Sequence, residues 1–257
     1  MKTLTTILAL CALLTSATAG AQVFGGLSEE ERGYSSPQYF FLEFKFGGYL
    51  PDIDSEFDGA KTPFEDLFGT DIGFMFKTEL DVDLWRPFGT IAIGGVAGYY
   101  TIGAAPFKDT GNSTTPTSTN GASRLTGETT ITMVPLAMLL IYRADFLHQY
   151  WSVPLVPYVK FGFNYTMWWI SKGNGDTATF GGEDAAGGTF GWQVNAGAAL
   201  LLDAFEPAAA KTLDTDSGIN HTYLFFEFYH VQADGFGSDS ALHVGDTAWQ
   251  GGLAFAF

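Results

Sequence analysis

The sequence contains a single cysteine, Cys11, and it lies near the amino terminus. A leader cleaved after Ala19 or Ala21 would remove it, so the remaining chain could form neither a disulfide nor a thiolate metal site. Leu10 stands where a lipoprotein signal requires a small residue, which argues against lipidation of Cys11. The sequence therefore predicts no metal site and no cofactor that depends on cysteine.

Basic residues are also scarce, because 12 Lys and Arg stand against 28 Asp and Glu, giving a net charge of −16. Loss of Lys2 with the leader would change the net charge to −17. Nucleic-acid phosphates and anionic membrane surfaces both attract Lys and Arg. The composition therefore excludes nucleic acid as an expected partner, as well as polybasic attachment to a membrane.

Long hydrophobic runs are absent too. The longest strongly apolar run is ITMVPLAMLLI, which is 11 residues long and contains Pro135, whereas a membrane-spanning helix needs about 20. The chain is nevertheless 46% hydrophobic and has 24 Phe. Two classes remain open, namely a soluble secreted β-protein with a large core and a closed β-barrel in an outer membrane.

The first residues have the three parts of a secretory signal peptide. Lys2 precedes the uncharged stretch LTTILALCALLT, and the small residues ATAGA follow it. A buried N-terminal helix is the other reading of this stretch. We expect a signal peptide at 1–21, an N-terminal periplasmic segment at 22–38 and a barrel domain at 39–257.

Alternation of apolar and polar residues predicts eight strands, and most exceed the usual ~5–6 residues. They lie at 40–46, 72–84, 88–102, 129–142, 155–167, 190–202, 224–228 and 249–257. The fourth is apolar on both faces and contains Pro135, where a bulge is expected because proline lacks a ladder donor. Contact with a capping helix or with a loop folded into the lumen would explain its apolar inner face.

Connections after odd-numbered strands are polar and mostly long, as outer-membrane barrels require on their external side. The links after even-numbered strands are shorter, and two of them have the composition of short capping helices. These features predict an all-β, transmembrane antiparallel barrel of eight strands in a bacterial outer membrane, monomeric and surrounded by lipid. A soluble barrel with a large core is the competing interpretation.

Aromatic residues also fall toward the two predicted rims, as in the aromatic girdles of membrane proteins. One group is Tyr39, Trp85, Tyr142, Tyr150, Trp151, Tyr223 and Phe257, and the other is Tyr49, Tyr99, Tyr100, Trp168, Trp169, Phe190 and Trp192.

Five segments carry a likeness to a known family. They are YFFLEFKFGGYLPDIDSE, VPLVPYVKFGFNY, FGWQVNAGAALLLDAFEP, GINHTYLFFEFYH and VGDTAWQGGLAFAF. Together they resemble a largely uncharacterised family of outer-membrane β-barrels of the myxobacterial type, over most of 39–257 but not in 104–128. The resemblance implies fold and location, and it transfers no catalytic residue.

The final strand places Trp249, Gly251, Leu253, Phe255 and Phe257 on one face. This arrangement resembles the C-terminal assembly signal by which outer-membrane barrels are recognised for insertion. We therefore expect the barrel-assembly machinery as a partner during biogenesis.

If the apolar faces contact lipid, seven charged residues point into the lumen: Glu43, Lys45, Lys77, Glu79, Asp81, Lys160 and Glu227. Buried charges must pair, because desolvating each one alone costs several kcal/mol. An eight-stranded barrel is just wide enough for side chains to fill it. We therefore expect an internal ion-pair network, which forms either a packed plug or a narrow gated path.

Two weaker candidate sites remain. The acidic segment PDIDSEFDG suggests a divalent cation, but Phe57 and Pro63 occupy positions where an EF-hand needs Gly and Glu. His230, Ser238, Ser240, His243 and Asp246 cluster near the last outer loop, although both histidines follow the lipid-facing alternation. No nucleophile stands at a defined spacing from a base.

The sequence thus predicts a structural or surface-interaction role without catalytic activity, cofactor or metal. Passive transport of a small polar or apolar solute, through the barrel or its lateral wall, is the alternative.

Overall fold

The computed structural model describes residues 38–57, 61–105, 128–151, 153–180, 182–238 and 241–257. The predicted signal peptide at 1–21 lies outside the described residues, as does the segment 22–38 except for its last residue. In the part of the chain that is described, no helix has both the length and the apolarity needed to cross a membrane.

Eight of the strands found among the described residues close into one antiparallel barrel, which confirms the predicted fold. In chain order the strands are β1 (Phe40–Tyr49), β2 (Gly73–Trp85), β3 (Thr90–Ala104), β4 (Thr129–Arg143), β5 (Leu155–Ser171), β6 (Thr179–Phe180), β7 (Glu183–Asp184), β8 (Ala186–Leu201), β9 (His221–Gln232) and β10 (Asp246–Ala256). The barrel order is β1-β10-β9-β8-β5-β4-β3-β2. Strands β6 and β7 form a separate hairpin within the connection between β5 and β8.

The two faces of each barrel strand differ in chemistry. In β8, Gln193 and Asn195 are buried in the lumen, whereas Val194 and Phe190 are exposed on the outer surface. In β9, Glu227 is buried between the exposed Phe226 and Phe228. The outer surface of the wall is therefore apolar, and buried charged and amide side chains share the interior with apolar clusters. This fits a lipid-facing wall and not a soluble barrel whose core is purely apolar.

The barrel wall is uneven in height. Strands β3, β4, β5 and β8 run for 15 to 17 residues, whereas β1, β9 and β10 run for 10 to 12. At the end of the long loops, the taller strands therefore extend beyond their shorter neighbours. The connections after β1 and after β9 start from the shorter strands. They fold over the outer opening of the barrel, where Ile53, Phe64 and Val244 pack against its interior.

No bulge forms at Pro135, so that expectation is wrong. Residue pairing between β3 and β4 keeps one register on both sides, with Ala97 opposite Leu136 and Tyr100 opposite Met133. Only the two pairs between them are missing, and both depend on a hydrogen bond from residue 135 to the Gly98 carbonyl, which proline cannot donate. The wall instead has its register shift between β2 and β3, near Asp83.

Short helices occupy the two links where the sequence predicts them, and a third helix, which the sequence does not predict, lies in the connection after β1. Helix α1 (Pro63–Phe68) lies in the connection after β1, α2 (Phe146–Trp151) links β4 to β5, and α3 (Pro207–Ser217) lies between β8 and β9. Helix α3 begins with proline and ends at Gly218 in the left-handed region. No residue of α3 is buried, so the expectation that this helix caps the lumen is wrong.

The predicted aromatic girdles are confirmed only in part. Tyr49, Tyr100 and Tyr223 are buried inside the barrel, because their positions follow the lumen-facing alternation. Exposed aromatics do flank the wall at both ends, and they include Tyr39, Trp85, Tyr99, Tyr150, Trp151 and Phe190.

The apolar inner face of β4 has two sets of partners. Ile131 and Met133 belong to a cluster with Ile53 and Phe64, which come from the connection after β1. Nearer the short links, Leu139 and Ile141 pack with Ala92 and Val96 of β3. A loop folded over the lumen and a packed barrel interior together explain why this strand lacks a polar face.

Candidate functional site

All seven charged residues that the sequence assigns to the lumen are buried there. Strands β1, β2, β5 and β9 carry them, and the alternation of each strand directs the side chains inward. Neighbouring glycine provides space, because a Cβ at Gly197 would lie 2.6 Å from the Cβ of Glu227. The site is therefore built by the register of the strands together with small residues opposite the charged ones.

Two ammonium groups join three carboxylates in the centre of the barrel. Lys45 Nζ lies 3.0 Å from Glu43, 2.7 Å from Glu79 and 2.9 Å from Glu227. Lys160 Nζ lies 2.7 Å from Glu43, 2.6 Å from Glu79 and 4.0 Å from Glu227. The amides of Asn195 and Gln250 also donate to Glu227. We call these five charged residues the central network.

A second cluster lies nearer the short links and includes residues that sequence reasoning missed. Arg143 donates to Asp81 at 2.7 Å and to Asp83 at 2.6 Å, and Arg86 donates to Asp83 at 2.6 Å. The guanidinium of Arg143 also stacks over the Phe41 ring, at 4.2 Å from its centroid. Arg143 and Asp83 continue the inward alternation of β4 and β2, and this signal was available in the sequence.

Lys77 belongs to neither cluster. It is buried, and its Nζ lies 3.9 Å from the centroid of the Tyr229 ring, a cation–π geometry. Among the described residues, no carboxylate lies within ion-pair distance of this ammonium. Counted with the two clusters, Lys77 brings the total to five basic side chains against five acidic ones. The two clusters together with Lys77 therefore contain equal numbers of basic and acidic side chains, although this one lysine stands apart.

Above the central network, buried aromatic residues close the mouth. Tyr49 donates to the Val244 carbonyl at 2.6 Å. The Tyr229 hydroxyl lies 2.9 Å from both the Gly48 carbonyl and Asp246, and these two acceptors share its single hydrogen. These hydrogen bonds fasten the segment before β10 to the interior of β1 and β9. The lumen is covered by packed side chains on its outer side.

A cleft of about 630 Å³ lies on the outer rim, between the connection after β1 and the segment leading into β10. Its carboxylates are Asp52, Asp54, Glu65, Asp234 and Asp246, and no Lys or Arg of the described residues lines it. The pKa of Asp234 is lowered because the Gln232 amide donates to its carboxylate at 2.7 Å. The cleft is therefore open to the exterior and negatively charged.

In the described part of the acidic segment, no three carboxylates come together as ligands for a cation. Asp54 accepts hydrogen bonds from the amides of Phe64 at 2.8 Å and Glu65 at 2.9 Å, at the beginning of α1. Asp52 and Glu56 are exposed, and Asp58 lies outside the described residues. The carboxylates of Glu43, Glu79 and Asp81 lie close together in the lumen, but lysine and arginine already neutralise them.

The candidate catalytic residues are not assembled for catalysis in the described part of the chain. His230 Nδ1 lies 2.6 Å from Thr247, and His243 Nδ1 lies 3.1 Å from Ser55. The Ser55 hydroxyl donates its hydrogen to the Asp52 carbonyl, so His243 does not accept that hydrogen and does not activate Ser55 as a nucleophile. His243 lies in a loop that lines the cleft, which corrects its assignment to the lipid face.

Of the other candidates near the last outer loop, Asp246 is not joined to a histidine in the described residues either. Ser238 lies in the loop after β9, Ser240 lies outside the described residues, and Asp246 accepts from Tyr229 instead of from a histidine.

On β10, Trp249 and Leu253 are exposed on the lipid-facing side, and Gly251 lies between them. Phe255 and Phe257 are half-buried. Their role as an assembly signal stays a prediction.

No family model matches the chain, and no curated protein matches it. The crystal structure of Neisserial surface protein A matches with 10% identity and a TM-score of 0.44, over 86% of this chain and 98% of that chain. OprG, an outer membrane protein from Pseudomonas aeruginosa, matches with 16% identity and a TM-score of 0.44, over 87% and 98%.

Ail, the attachment invasion locus protein of Yersinia pestis, was crystallised with the heparin analogue sucrose octasulfate. It matches with 8% identity and a TM-score of 0.42, over 86% of this chain and 97% of that chain. The likeness to these structures is one of fold alone. The resemblance to a myxobacterial-type family therefore stays a prediction.

Proposed function

We propose that this chain is a bacterial outer-membrane barrel with a closed lumen, which acts by contact at its outer face and not by conduction or catalysis. One observation carries the proposal, namely the burial of the central network. Side-chain exposure is 3% for Glu43, 1% for Lys45 and 0% for Glu79, Lys160 and Glu227. Water in a continuous pore would leave these charged groups accessible, and here it does not reach them.

The two faces of the wall support the proposed placement in an outer membrane. A closed barrel leaves no unpaired strand edge in lipid, and its apolar outer surface faces the acyl chains. The long connections then lie outside the cell, together with the cleft. A monomer satisfies this arrangement, since the barrel closes within one chain.

The outer cleft is the surface at which we propose that contact takes place. It is lined by five carboxylates together with histidines and both polar and apolar uncharged residues, so its field favours a partner that carries positive charge. The packed layer beneath it separates this cleft from the central network, which supports contact instead of passage.

Passive transport is the second candidate, and one feature favours a lateral route. The missing pairs at Pro135 weaken the wall between β3 and β4. A cavity lined by Pro135, Lys77 and Asn164 lies beside this seam. Its volume of about 20 Å³ gives room for about one water molecule, which is too little for a solute in this conformation.

Conductance of the refolded chain in planar bilayers tests the proposal. A difference in gel mobility between heated and unheated samples establishes that the protein is folded. Flotation of lipid vesicles into which the same protein has been folded measures how much of it has inserted. We expect no discrete openings from inserted wild-type protein. Discrete openings that change when Lys160 is replaced by Ala would show that the network lines a path, and the closed-lumen proposal would then be wrong.

A further inference from the structure

The two helical links on the short-connection side of the barrel differ sharply in chemistry. Helix α2 has the sequence FLHQYW, which contains no Asp, Glu, Lys or Arg. Helix α3 has the sequence PAAAKTLDTDS and exposes charged residues on a surface without buried positions. In a chain with a net charge of −16, an uncharged aromatic helix at the same end needs a separate physical explanation.

Helix α2 is part of an aromatic cluster that joins two neighbouring links. The Phe88 ring, from the turn between β2 and β3, stacks on Phe146 with centroids 4.6 Å apart and planes 15° apart. Phe146 contacts Trp151 edge-on, at 6.2 Å between centroids. Tyr142 of β4 also donates to the Phe88 carbonyl, at 3.4 Å. The helix therefore lies against the wall of the barrel and not across its lumen.

The outer side of this cluster is uncovered. Tyr150 and Trp151 are 69% and 67% exposed, and Phe88 is 59% exposed. Leu84 and Trp85, at the end of β2 and next to the turn that carries Phe88, are exposed as well. Aromatic side chains with one apolar and one polar end are enriched where acyl chains meet headgroups.

The acidic residue closest to α2 in sequence is turned away from this patch. Asp145 accepts a hydrogen bond from the Thr90 hydroxyl at 2.5 Å. Burial raises the pKa of this carboxyl. No group of the described helix therefore opposes its entry into the headgroup region of a bilayer.

We propose that α2 is an interfacial anchor, whose Tyr150 and Trp151 side chains lie in the headgroup layer of the periplasmic leaflet, while α3 projects into the aqueous periplasm. The occupant of the aromatic patch is thus phospholipid. The anchor contacts the membrane on one side of the barrel, because the two links that form the aromatic cluster are neighbours. It rests on the transmembrane placement proposed above but not on the closed lumen.

The absence of cysteine from the chain beyond Cys11 allows a clean labelling test. Tyr150→Cys and the matched control Leu213→Cys on α3 replace apolar helix positions on the two links. Each is labelled with an environment-sensitive fluorophore in the mature chain, folded into nanodiscs of phosphatidylcholine and phosphatidylglycerol that expose both leaflets. Iodide then quenches from the water, and a lipid with a nitroxide close to its headgroup quenches from the membrane.

We expect the label at position 150 to have a several-fold lower iodide quenching constant than the label at 213, and stronger quenching by the nitroxide lipid. Addition of Trp151→Asp to Tyr150→Cys should reverse this difference while the gel shift of the folded barrel persists. Equal iodide quenching at 150 and 213 in folded protein would overturn the anchor.

A third label separates this inference from the membrane placement itself. Phe161 lies on the outer face of β5 and is exposed. A label at Phe161→Cys should be quenched by a nitroxide deep in the acyl chains. If it is quenched by iodide instead, the transmembrane placement fails, whereas failure at position 150 alone refutes only the anchor.

Discussion

Replacement of Lys160 by methionine is the sharpest test of the central network. The side chains are similar in length, so the change removes the ammonium group and leaves most of the packing in place. Lys160 Nζ contacts Glu43 at 2.7 Å and Glu79 at 2.6 Å. After the replacement, three buried carboxylates would share the single ammonium of Lys45.

The expected loss of stability follows from the carboxylates that remain buried without their ammonium partner. Removing one partner from a buried ion pair costs about 3–5 kcal/mol, because the other charge stays desolvated and unpaired. Lys160 is fully buried and has two close carboxylate partners, so we expect Lys160→Met to lower the free energy of unfolding by an amount in this range. Adding Glu79→Gln removes one of the stranded charges and should recover a substantial part of the loss.

Unfolding by denaturant in lipid vesicles, followed by tryptophan fluorescence, measures these free energies, and gel mobility confirms that each variant folds. Lys172→Met is the matched control, since Lys172 is exposed in the connection after β5, and we expect a change below about 0.5 kcal/mol. If Lys160→Met falls within about 1 kcal/mol of wild type, or if Glu79→Gln adds its own loss instead of rescuing it, the electrostatic reasoning is wrong.

Two further predictions concern the wall and the outer loop. Pro135→Ala supplies the missing amide donor, so we expect the residue-135 amide to be protected from hydrogen exchange by the Gly98 carbonyl, and rapid exchange there would contradict the explanation of the gap. Asp54→Ala removes the acceptor at the beginning of α1 and should weaken that helix by about 1 kcal/mol. Limited proteolysis should then cut the loop after β1 faster, whereas Asp52→Ala should leave its rate unchanged.

The barrel could be predicted from the sequence because its determinants are local. A strand alternates with period two wherever it lies, so Phe226, Glu227 and Phe228 reveal an apolar and a polar face without any knowledge of their neighbours. Strand β4 departs from this rule, because its inner face is apolar as well, so alternation alone does not distinguish its two faces. Local periodicity also explains why the seven lumen charges could be named before their partners.

The pairing among those charges could not be predicted, because it depends on strands that are far apart in sequence. Lys45 meets Glu227 across 182 positions, and Lys160 meets Glu43 across 117. The aromatic cover over the mouth has the same origin, since Tyr49 contacts Val244 only after the barrel has closed. The position of Tyr49 near the end of its strand predicts a place in the girdle, whereas the alternation of the strand directs its side chain into the lumen.

The central network also bears on how the chain selects one register. A slip of one residue between β1 and β2 would turn Glu43 and Lys45 toward the lipid and move Phe44 into the lumen. At the bilayer midplane, a lysine on the lipid face costs about 2–4 kcal/mol. Paired inside, the same residues are neutralised by Glu79 and Lys160 from two other strands. The charges therefore penalise the shifted pairings more than they stabilise the correct one, and a purely apolar lumen would lack this discrimination.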